Sequence, residues 1–90
     1  MINVKGGNRM LNFYIGKVYS LKINSKIISA KLINKKMPNE MRNKGVLEFE
    51  LINIKTTNIN TNAYNFSIDG QQYNTSKIEK ISGSKLNIYL

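Results

Sequence analysis

Ninety residues with a formal charge of +9 and no Cys, His or Trp confine this chain to one small domain. They also exclude disulfides, thiolate metal sites and the two side chains that most readily act as base or nucleophile near neutral pH. The charge is lopsided: eight bases (Lys5, Arg9, Lys17, Lys22, Lys26, Lys31, Lys35 and Lys36) precede the first acid, Glu40, so residues 1–39 carry +8 and residues 40–90 only +1.

Residues 1–12, with Gly6-Gly7 and no sustained hydrophobic period, read as an N-terminal arm ahead of a single domain over 13–90. The N-terminus lacks the apolar run of a signal peptide, and no later stretch approaches the roughly 20 apolar residues of a membrane span. A cytoplasmic location is therefore expected. Over 13–23 the chain is β-branched and aromatic, and Tyr19, Leu21 and Ile23 alternate with Ser20, Lys22 and Asn24. Gly16 marks a bend. Asn24-Ser25 predicts a tight hairpin into a second strand over 27–33, where Ile28, Ala30 and Leu32 share one face.

Residues 34–45 contain the single proline and are expected to form a basic loop. A third strand is predicted over 46–54, with Leu47, Phe49 and Leu51 opposite Glu48 and Glu50, and a bulge near Leu51-Ile52 to restore the alternation. The Asn/Thr-rich stretch 55–62 reads as a loop. Tyr64, Phe66 and Ile68 then define a fourth strand, closed by the Asp69-Gly70 hairpin signal and a return over 71–74. Ser76-Lys77-Ile78-Glu79 matches a capping box, which predicts one helical turn over 76–81. Leu86, Ile88 and Leu90 predict a final strand.

This succession of five or six short strands, a long loop and a turn before the last strand resembles the architecture of small SH3-like or Sm-like barrels. The resemblance covers 13–90 and rests on no diagnostic motif. It implies an all-β barrel, with an OB-type barrel or a small α+β sheet as alternatives.

Catalysis is not expected. Glu48 and Glu50 share a strand face, but two carboxylates are too few for a metal cage, and lysines across the sheet are their ordinary partners. Lys5-Gly6-Gly7-Asn8 lacks the spacing of a phosphate loop, so neither metal nor cofactor is expected. The remaining constellation is basic residues among aromatics, the combination that phosphates and unpaired bases require. Its members are Lys17, Lys22, Lys26 and Lys31 on the predicted hairpin, Lys35, Lys36, Arg42 and Lys44 on the adjoining loop, and Tyr14. Lys22 and Lys31 both leave the apolar face and would form a stripe.

The expected partner is nucleic acid, held through its backbone because two arginines supply little base-edge reading. The opposing reading is that the lysines merely keep a small protein soluble. Asn, Ile and Lys make up 39 of the 90 residues, a bias that A·T-rich codons would produce and that suits a low-GC bacterium, its phages or its plasmids. An alternative function is a phage or mobile-element inhibitor that binds an acidic protein or nucleoprotein, such as a host defence nuclease complex. A third is self-assembly through an exposed edge strand at 86–90.

Overall fold

The computed structural model describes residues 12–41, 44–62, 65–75 and 77–90. They form one antiparallel sheet of seven strands: β1 (Val18–Ile23), β2 (Lys26–Lys36), β3 (Val46–Ile52), β4 (Phe66–Ile68), β5 (Gln71–Gln72), β6 (Lys77–Lys80) and β7 (Lys85–Tyr89). The spatial order is β5-β4-β1-β2-β3-β7-β6. The expected N-terminal arm lies outside the described residues except for Asn12. No helix among the described residues is long and apolar enough to cross a membrane.

The alternation read from sequence becomes a two-sided sheet. Tyr19, Leu21 and Ile23 on β1, Ile28, Ala30 and Leu32 on β2, Leu47, Phe49 and Leu51 on β3, and Leu86 and Ile88 on β7 are all buried. They join Phe13, Ile59, Phe66 and Ile68 in one cluster. Among the described residues, Phe13 and Ile59 from outside the strands pack with this face. Ala30 stands between Tyr19 and Leu51 in register. Its small side chain leaves space for Tyr19 to meet Phe49 edge-on, ring centroids 6.1 Å apart, across β2.

The β1–β2 hairpin turns at Asn24-Ser25 as expected, with Ile23 opposite Lys26 and Asn24 at φ 57°. Asn tolerates that left-handed conformation better than most residues. At the other end of the sheet Asp69 (φ 51°) and Gly70 (φ 84°) both adopt positive φ, the requirement of a two-residue hairpin turn that matches strand twist. Gly16 (φ 96°) makes the expected bend just before β1.

Several expectations are corrected. The sheet is open, with β5 and β6 as its edges, so the barrel is not closed. The two edges are blunted rather than joined: β5 has two residues, and β6 carries Lys77 and Lys80 at its ends. The predicted helical turn over 76–81 is strand β6, while Ser76 lies outside the described residues. A capping box satisfies two local donors, whereas strand pairing satisfies a row of β7 backbone groups and seats Ile78 opposite Ile88. The bulge falls on β2, between Leu32 and Asn34, and β3 runs in unbroken register. Strand β2 continues to Lys36, which shortens the basic loop. Strand β7 is interior, between β3 and β6, and is therefore not an edge available to a second copy.

Candidate nucleic-acid interface

Register fixes where each candidate cation emerges. Lys22 lies between buried Leu21 and Ile23, and Lys31 between Ala30 and Leu32, so both leave the outer face. Beyond the bulge, Lys36 pairs with Val46 and returns to that outer side, whereas Lys35 pairs with buried Leu47. Lys22 and Lys31 are not neighbours. Lys31 is opposite Val18 and Lys22 opposite Ile27, with the pair Ser20 and Ser29 between them. Four strand residues separate them, about 13 Å. A similar distance separates Lys31 from Lys36.

Three other candidates have intramolecular partners. Lys26 Nζ donates to the Asn58 carbonyl oxygen (2.9 Å) and Lys35 Nζ to that of Phe13 (2.7 Å). Lys17 Nζ stands 3.9 Å from Asp69 Oδ2 and 4.8 Å from the centre of the Tyr19 ring. Lys44 is exposed just before β3, and Arg42 lies outside the described residues. Tyr14 is exposed, and its backbone N–H donates to Tyr19 Oη (2.8 Å).

Folding also returns the late acids to the early lysines. Glu50 on β3 lies opposite Lys31 on one side and Lys85 on the other. No ion pair joins them, and the two ion pairs found among the described residues are Lys17–Asp69 and Lys77–Glu79. Lys22, Lys31 and Lys36 thus reach solvent on one face without an ion-pair partner among the described residues. Their surroundings are mixed, because Val18, Ile27 and Ile52 are exposed on the same face.

A cleft of about 640 Å³ opens where β1 meets the β4–β5 hairpin. Its floor is the buried set Phe13, Tyr19 and Ile68. Phe13 contacts Tyr19 and Tyr73, with ring centroids 5.6 and 5.7 Å apart. Lys17 and Asp69 stand at its rim. Asp69 is fixed there because its Oδ1 accepts the Ser20 N–H (2.7 Å). Of the sequence candidates, Lys17 alone lines this cleft, while Lys35 donates to the carbonyl oxygen of the lining residue Phe13. Tyr73 is signalled in the sequence by lying outside the apolar alternation. The remaining walls carry no signal, because they depend on pairing between strands nearly fifty residues apart.

Two further hollows, about 680 and 220 Å³, flank Asn58 at the hairpin-turn end of the sheet. Lys55 lines the first and Lys26 the second, and no described carboxylate lines either. Lys55 escapes a reading confined to the basic N-terminal half. Among the described residues there is no group of three or more His, Cys, Asp or Glu that could hold a metal. No protein-family model, curated protein or solved structure matches the chain.

Proposed function

We propose that this protein is a non-enzymatic binding module that holds nucleic acid through phosphate contacts on the outer face of β1 and β2. The observation that carries the reading is the emergence of Lys22, Lys31 and Lys36 from that one face without ion-pair partners among the described residues. The chain charge of +9 adds a long-range attraction to any polyanion. Three lysines about 13 Å apart meet only about three phosphates, so binding is weak and tolerant of sequence. Lys26 and Lys55 extend the cationic surface around the hairpin turn.

Fluorescence anisotropy with labelled DNA and RNA at increasing salt tests the reading. Three phosphate contacts predict a slope of log affinity on log salt of about −2 to −3. Absence of binding to single-stranded DNA, duplex DNA and RNA at low salt overturns it.

The exposed apolar side chains favour a second reading, an adaptor or inhibitor that docks on a protein. Ile27 is 67% exposed beside Lys22, and Met41 is 95% exposed in the basic loop. Such a partner would present an acidic rim around an apolar patch. Retention of a host protein on the immobilised chain after nuclease digestion supports this reading, and its loss after digestion favours the first.

A further inference from the structure

We infer that the 640 Å³ cleft receives one unpaired nucleobase, which would make the module selective for single-stranded nucleic acid; this rests on the reading above. Its volume falls within the roughly 300–1,000 Å³ range of small-ligand pockets. Three features specify the occupant. The floor of Phe13, Tyr19 and Ile68 is apolar and almost fully buried, and the partly exposed Tyr73 lines the same cleft and offers an aromatic surface to a flat ring. The walls include the carboxamide residues Asn12, Gln71, Gln72 and Asn74. Each carboxamide offers a donor and an acceptor side by side, the pairing that heterocycle edges present and that an apolar ligand leaves unused.

The third feature is charge. Lys17 lines the rim, and the Lys35 ammonium lies 2.7 Å from the carbonyl oxygen of Phe13, so two cations stand near the cleft. Asp69 is the one carboxylate lining it among the described residues, and its charge is offset by Lys17 at 3.9 Å. A phosphate-bearing heterocycle matches this set better than a neutral sugar does.

The geometry also links the cleft to the outer-face lysines. Val18 follows Lys17 directly and lies opposite Lys31, so a strand with one base in the cleft can pass its next phosphates to the outer face. In a duplex the base edges are paired and the rings stacked, which withholds them from the cleft. Gln71 lies opposite Ile68, on the core side of the short edge strand β5, and Tyr73 follows two residues later on the same side. The Asp69-Gly70 turn holds both in place.

The test compares a labelled single strand with a strand of equal length in which every base is removed but every phosphate kept. The intact strand is expected to bind about tenfold more tightly, the effect of one stacked base. Gln71→Ala and Tyr73→Ala should each narrow that ratio while leaving the abasic affinity unchanged. Gln71→Ala carries the test if loss of Tyr73 disturbs the core, since Gln71 is exposed. Equal affinity for the two strands overturns the base site and leaves the phosphate reading standing. A base preference that survives both substitutions places the contact elsewhere and also overturns it. Failure of both strands to bind overturns the two readings together.

Discussion

Along β2, Ala30 and Leu32 have no exposed surface, while Ser29 and Lys31 between and beside them face solvent. The same contrast runs through β1 and β3, where Leu21 adjoins Lys22 and Phe49 adjoins Glu50. One face is a continuous apolar cluster drawn from most of the strands, and the other is a patchwork of lysines, hydroxyls, acids and a few aliphatics. The apolar core therefore resides in one set of positions and the solvent-facing polar residues in the set offset by a single residue. A substitution's effect should switch in kind between adjacent positions.

The largest expected effect tests the inner face. Phe49→Ala removes a ring with no exposed surface that contacts Tyr19, and should cost about 3–5 kcal/mol in urea denaturation, enough to unfold much of a domain this small. Its neighbour Glu50→Ala should shift stability by no more than about 0.5 kcal/mol. Similar losses at both positions would erase the distinction between the faces.

Next is the outer face itself. Replacing Lys22, Lys31 and Lys36 together with Gln should leave the denaturation midpoint nearly unchanged and remove most of a salt slope of about two, measured by anisotropy with a single strand. An unchanged slope would move the phosphate contacts to other cations, such as Lys26 and Lys55.

A smaller effect sharpens the boundary between the faces at the Asp69 turn. Asp69→Ala leaves the Ser20 N–H without its acceptor at 2.7 Å and places Ala at φ 51°, so a loss of about 1–2 kcal/mol is expected. Asp69→Asn keeps an acceptor and tolerates that φ. Because both members of the Lys17 ion pair are about half exposed, Asn should cost less than about 0.5 kcal/mol. Equal losses would show that the ion pair, rather than the backbone hydrogen bond, holds the turn.

The smallest effect concerns β6. Lys77–Glu79 is an exposed pair at 3.6 Å, and Glu79 also accepts the Tyr89 hydroxyl at 3.0 Å. Glu79→Gln retains an acceptor and should change the thermal midpoint by no more than a degree or two, equivalent to less than about 0.5 kcal/mol.

Where local chemistry decides, sequence reading and structure agree. The Asn24-Ser25 and Asp69-Gly70 turns need residues that accept positive φ, and those residues are visible in the chain. Tyr19, Phe49 and Phe66 were readable as core from their two-residue period, while Tyr64 lies outside the described residues. Reading failed where a local preference competed with pairing to another strand. Ser76 to Glu79 has a helix-start pattern, yet the backbone groups of β7 and the Ile88 side chain outweigh it. The irregularity expected at Leu51-Ile52 is absent: Ile52 continues the alternation as an exposed residue opposite Ser29, and the register shift lies between Leu32 and Asn34, opposite Phe49 and Glu48.

The candidate site was legible as a list of residues and not as a surface. Lys22, Lys31 and Lys36 were identifiable, but their separation depends on register. The engagement of Lys17, Lys26 and Lys35 by Asp69, Asn58 and Phe13 depends on contacts remote in sequence. The cleft at the β4–β5 hairpin showed in the sequence only through the candidate Lys17 and through Tyr73, an aromatic outside the apolar period.

By itself the sequence determined an all-β chain, its turns, most of its core and its surplus of positive charge. These follow from backbone sterics and from an alternation that each strand expresses without its neighbours. Tertiary structure alone decided that β3 lies beside β2, which sets Glu50 against Lys31, and that β4 lies beside β1, which sets Asp69 against Lys17. Charge is counted along the chain, but the field a ligand meets depends on which strands pair, and that pairing is chosen by burial of the apolar face.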